Sequence, residues 1–109
     1  MPYDERTAQI LRDALSDVDG ISEKKMFGGI CFLLNGNMLC GVSKDGGMAR
    51  VGKENEAEAL QIPGVSPLSF TGRKMGGMVD VSAGTIDSDD LRGRILDLAL
   101  QFVGSLPGK

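Results

Sequence analysis

Asn35-Gly36 lies between two short apolar runs within residues 26–44, and it constrains the fold more than any other feature of the chain. Both central residues of a two-residue hairpin turn need positive φ, which Gly adopts freely and Asn tolerates better than most side chains. Asp45-Gly46-Gly47 is a second turn signal, followed by Met48-Ala49-Arg50-Val51. Residues 26–51 therefore read as three antiparallel strands in a meander. The 16 glycines cluster between apolar runs without a period, as turns require and low-complexity sequence does not.

Helices frame these strands. Asp4 can cap a first helix whose apolar positions Ala8, Leu11, Ala14, Leu15 and Val18 fall at helical spacing, with Gly20 as its left-handed stop. Lys53 to Leu60, rich in Glu and Ala, predicts a short helix stopped before Pro63-Gly64. Pro67–Phe70 and Gly77–Val81 read as two further strands, with Thr71-Gly72-Arg73-Lys74 in the loop between them. Asp87 is placed to cap a last helix with Leu91, Ile95, Leu98, Ala99 and Phe102 as its buried stripe. The expected fold is α+β, a two-layer α-β3-α-β2-α arrangement with a five-stranded antiparallel sheet covered by helices. At 109 residues the chain has the length of one domain, spanning 1–109.

Composition narrows the chemistry. The chain has no His, which removes the commonest metal ligand and the usual proton shuttle near neutral pH. Two cysteines are too few for a disulfide scaffold or a four-ligand zinc site. No catalytic residue, metal site or cofactor is expected, and the chain reads as no enzyme. Twelve Lys and Arg stand against fifteen Asp and Glu, which argues against direct nucleic-acid binding. No apolar run approaches bilayer length and the first residues are polar, so a cytoplasmic location without membrane contact is expected.

With a two-residue turn at Asn35-Gly36, Leu34 pairs with Asn37, Leu33 with Met38 and Phe32 with Leu39, which sets Cys31 opposite Cys40. That pair would be of the non-hydrogen-bonded kind, with Cα atoms about 4.5 Å apart, within reach of a disulfide. A redox pair is one reading of Cys31 and Cys40. Two small buried side chains packing across the hairpin is the other, and the preferred one.

Lys24 and Lys25 precede the first strand, Arg50 ends the third, and Arg73-Lys74 lie in the later loop. Were these five to converge, they would form a basic patch for a phosphate, a carboxylate or an acidic partner. Taken singly, each is an ordinary solvated charge. Met26, Met38, Met48, Met75 and Met78 sit at or beside strand positions and read as gap-fillers of an aromatic-poor core. Gly28-Gly29, Gly46-Gly47 and Gly76-Gly77 have no phosphate-loop spacing, and Asp87-Ser88-Asp89-Asp90 suits a helix start.

Lys24-Lys25-Met26-Phe27-Gly28-Gly29, Asn35-Gly36-Asn37-Met38, Gly41-Val42-Ser43, Arg50-Val51-Gly52, Phe70-Thr71-Gly72-Arg73-Lys74-Met75 and Ser105-Leu106-Pro107 follow one another in a familiar order. Through them the chain resembles the TfoX (Sxy) N-terminal domain over nearly its whole length. Lys74 departs from that pattern, where Pro is expected after the Arg. The resemblance implies the α-β3-α-β2-α fold, similar to secretion-chaperone-like folds. It also implies a place among bacterial competence regulators, which cooperate with a transcription activator and carry a further C-terminal helical domain. The chain is read here as a stand-alone single-domain member. Lys25, Arg50, Arg73 and Lys74 match the family pattern without an evident folding reason.

The expected function is therefore a regulatory interaction module, binding a protein partner such as a transcription activator, or itself as a homodimer. The alternative is a small-anion or nucleotide-binding domain built on Lys25, Arg50 and Arg73.

Overall fold

A computed structural model describes residues 4–26, 29–43, 46–70 and 73–107, with the side chains of 26, 68–70 and 73–76 outside that description. Helix α1, Glu5–Ala14, is capped by Asp4, whose side chain accepts from the Arg6 N–H at 2.9 Å. Ala8, Leu11 and Leu15 are buried. The helix stops at Ala14 instead of running on to Gly20, so Val18 lies beyond it in a turn segment. Gly20, at φ +87°, has a different role: its carbonyl accepts from the Asn35 N–H at 2.9 Å and anchors the hairpin tip.

The next element corrects the sequence reading. Ile21–Met26 is a strand, β1, so Lys24 and Lys25 lie on a strand and not before one. An edge strand exposes one side of its backbone and needs no apolar alternation, and Ile-Ser-Glu-Lys-Lys-Met offers little. Strands β2, Gly29–Leu34, and β3, Asn37–Ser43, form the expected hairpin, with Asn35 at φ +52° and Gly36 at +86°. Asn37, itself buried, donates from Nδ2 to the Pro107 carbonyl at 2.8 Å and ties the hairpin to the chain's last turn.

The register departs from the expectation two pairs in. Leu34 faces Asn37 and Leu33 faces Met38, but Phe32 then faces Cys40 and Cys31 faces Gly41. Leu39 is the extra residue of a β-bulge. It lets Leu39 and Cys40 both enter the core in succession, which strict alternation forbids. Cys31 and Cys40 are consequently not opposite one another. They belong to adjacent rows and point to opposite faces of the sheet, each a free, buried thiol.

Strand β4, Gly46–Arg50, leads into α2, Lys53–Ala59, then β5, Val65–Phe70, and β6, Arg73–Ser82. Arg73 and Lys74 thus begin a strand, while the Thr71-Gly72 part of the anticipated loop, like Phe27-Gly28, lies outside the described residues. Two helices follow where one was expected: α3, Ala83–Asp87, capped by Ser82, and α4, Asp89–Gly104, capped by Ser88 in place of Asp87. The Ser88 hydroxyl accepts from the Leu91 N–H at 3.3 Å.

Among the described residues the sheet has six antiparallel strands in the order β1-β2-β3-β4-β6-β5, and the elements run α-β4-α-β2-α-α. α1 touches α3, α3 touches α4 and α4 touches α2, so the four helices form a single layer. The core between layer and sheet packs aliphatic side chains around Phe32, which with Leu39, Val42, Val51, Val79 and Val103 is at most 1% exposed. It contains no described methionine, which corrects the gap-filling role expected for Met38, Met48 and Met78. Met26 and Met75 have side chains outside the described residues. Among the described residues no helix is long and apolar enough to cross a membrane.

Candidate binding groove

Arg50, the last residue of β4, is followed by the wholly buried Val51 and by Gly52, at φ +85°. The Val51 and Gly52 N–H groups both donate to the Gly77 carbonyl, at 2.9 and 3.0 Å. Gly77, at φ +82°, donates its own N–H to Glu56 Oε1 on α2 at 3.0 Å. A side chain at Gly52 would run into the ring of Phe102 on α4. Glycine is required there twice over, by backbone conformation and by contact. Segments distant in sequence thus lock into one corner.

Although Arg50 pairs with Met78 in the sheet, its guanidinium turns toward the helical layer and lies 5.5 Å from the Phe102 ring centroid. That is cation–π distance. Between this corner and the last turn of α4 lies an open groove of about 730 Å³, lined among others by Arg50, Lys53, Glu54, Gln101 and Phe102. The sequence reading identified Arg50 and missed the rest. Lys53 reads as one charge of a Glu-rich helix, and Phe102 reads as core by its spacing although it is half-buried at the groove wall.

The other basic candidates do not gather here. Lys24 and Lys25 sit on β1, three strands from β4, about 14 Å at ordinary strand spacing. Their pairing with Cys31 and Ile30 puts them on opposite faces of the sheet. Arg73 and Lys74 pair with Phe70 and Ser69 at the far end of the β5–β6 hairpin, and their side chains lie outside the described residues. The anticipated five-residue patch is therefore not formed by Lys24 and Lys25 with Arg50.

The second feature is the sheet face away from the helices. The row Lys24, Cys31, Gly41, Met48, Asp80, Ser66 crosses all six strands on that face. Leu33 and Met38, paired on β2 and β3, and Met78 on β6 lie in the next row of the same side. Leu33, Met38, Met48 and Met78 are half-buried. Burial raises the thiol pKa of Cys31, while burial and then the neighbouring Cys31 push that of Cys40 up to about 12. Neither is an activated nucleophile. Among the described residues no three His, Cys, Asp or Glu side chains lie close enough to hold a metal ion.

A family model described as the TfoX N-terminal domain matches residues 13–103. No curated protein and no solved structure matches the chain.

Proposed function

Because the chain belongs to the TfoX N-terminal domain family, a competence-regulator-like domain, we propose that it is a non-enzymatic regulatory module working by protein–protein contact in the cytoplasm. The observation that carries this reading is the one-sided sheet: four helices occupy one face, and the other presents Leu33, Met38, Met48 and Met78. Apolar side chains grouped on an otherwise open face mark contact surfaces, and methionine adapts to the shape of what it meets. The absence of His supports a role without turnover.

The placement of charge favours a second copy of the chain as the occupant. Lys24 and Asp80 stand two strands to either side of Gly41 in the same row. A copy turned about a two-fold axis along β3 sets each Lys24 over the other copy's Asp80, and Cys31 over Met48. Such self-complementarity is what an isologous interface needs. A transcription activator would then meet the paired modules, at the edge strands β1 and β5.

The test is light scattering on the eluted protein between about 1 and 100 µM, a range that brackets ordinary dimer affinities. A dimer is expected, with Met48→Asp shifting it to a monomer whose melting temperature is near that of the parent diluted below its own dissociation constant. A parent that remains monomeric throughout, or a dimer indifferent to Met48→Asp, overturns the proposal.

A further inference from the structure

We infer that the groove beside Arg50 is a binding site for a small molecule carrying one oxyanion, a phosphate or a carboxylate, held by Arg50 and Lys53. Both cations line the groove, and neither is ion-paired among the described residues. Among the described residues the sole carboxylate of the lining is Glu54, which is exposed.

The Arg50 guanidinium is placed in advance. The Phe102 ring lies at cation–π distance from it, and the backbone that carries it is fixed by the paired hydrogen bonds to the Gly77 carbonyl. Ordering a long side chain before the ligand arrives removes part of the entropic cost of binding. A guanidinium offers two parallel N–H donors to one oxyanion, and a flexible ammonium from Lys53 completes the charge. Gln101 adds a neutral amide.

Size and charge restrict the ligand further. About 730 Å³ lies within the usual range of roughly 300–1,000 Å³ for small-molecule sites, and is far larger than a bare phosphate needs. Two cations against one carboxylate leave a lining charge of +1, suited to one anionic group with an uncharged body. A polyanion such as a nucleic acid would meet Glu54 and the acidic excess of the whole chain. Arg50 pairs with Met78 at the end of the uncovered face, so the groove adjoins that face, and Lys53, which the self-contact does not use, is the residue that tells the two readings apart.

The experiment is thermal denaturation followed by circular dichroism at constant ionic strength in chloride. The probes are inorganic phosphate, adenosine monophosphate and succinate. At least one should raise the melting temperature saturably, by about 5 °C at ten times its dissociation constant. Adenosine monophosphate acting well below the concentration of phosphate identifies a phosphate ester with an organic body, and succinate acting alone identifies a carboxylate. Lys53→Gln, an exposed substitution that leaves the corner intact, should weaken the effective probe at least tenfold, and Arg50→Gln more. No saturable shift with any of the three, or unchanged binding by Lys53→Gln, overturns the assignment.

Discussion

Two adjacent rows cross all six strands and differ in almost every respect. Lys25, Ile30, Val42, Gly47, Val81 and Val65 form the row under the helices, and from β2 onward it holds aliphatic side chains or none. One residue along each strand, Lys24, Cys31, Gly41, Met48, Asp80 and Ser66 form the uncovered row. Both contain hydrophobic residues, so the difference lies in their kind. Branched side chains with few rotamers fill a space whose shape is already set by α3 and α4. Methionine, unbranched and adaptable, stands where the opposing surface is not part of the chain. Hydrophobicity alone does not separate a core face from a contact face. Stiffness does.

The largest expected effect uses two neighbours of β2 that point to opposite sides. Phe32 is fully buried at the centre of the core, and Leu33 is half-buried on the uncovered face. Phe32→Ala should cost about 3–5 kcal/mol, the loss of a core aromatic with its cavity. Leu33→Ala should cost about 1 kcal/mol when both proteins are compared below the concentration at which they self-associate, since much of its area remains in water in the single folded chain. Urea denaturation of the two variants measures both. Equal losses would mean that the second face is packed against something in the folded protein, and the contrast would fall.

The cysteines carry the same contrast at smaller scale. Alkylation at pH 8 needs a thiolate, and burial raises both thiols, so each reacts only when its surroundings open. Cys31 is covered from the uncovered side, where the space beside Gly41 is bounded by the Met48 methyl group and the Cys31 sulfur. Cys40 lies between sheet and helices and opens only with the core. Peptide-resolved mass spectrometry should show Cys31 modified at least about tenfold faster, equivalent to roughly 1.4 kcal/mol in opening free energy. In concentrated urea the two rates should converge. Matching native rates would place both thiols in one cooperative unit and remove the distinction between the faces.

Local chemistry was legible in the chain, and its long-range pairing was not. The Asn35-Gly36 turn, the Asp4 cap and the helix begun at Lys53 each follow from a few neighbouring residues whose backbone needs are strong. β1 escaped because an edge strand of Ser, Glu and Lys lacks the alternation by which strands are read. The bulge at Leu39 escaped because burial of two consecutive residues is decided by the helices above them. One bulged residue was enough to move Cys31 from opposite Cys40 to opposite Gly41. The groove shows the same division. Arg50 was singled out as a basic residue ending a strand, but Phe102 joins it only because α4 returns over the end of β4, some fifty residues later, and Lys53, three residues on, lines a groove only once that wall is in place.

The smallest effect concerns the edge of the covered face. Glu23 on β1 shares the row of Phe32, Cys40, Ala49 and Val79, and instead of apolar cover it receives Arg12 from α1. Arg12 Nε and Nη2 donate to its two carboxylate oxygens at 2.6 and 2.8 Å. These bonds hold the Glu23 pKa below the ordinary carboxylate value, against a smaller opposing effect of burial. A folded-state pKa below the unfolded one contributes stability above the unfolded value, about 4.3, which is lost as the pH falls through the folded value. Both side chains are about one-third exposed, 35% and 36%, so solvent screening keeps the contribution near 0.5 kcal/mol. Glu23→Gln should therefore lose about that much at pH 7, and the gap to the parent should close toward pH 3 as the parent's carboxylate is protonated. Urea midpoints at pH 7, 4.5 and 3 decide it. A gap that persists at pH 3 would show that shape, and not charge, joins this edge to the helical layer.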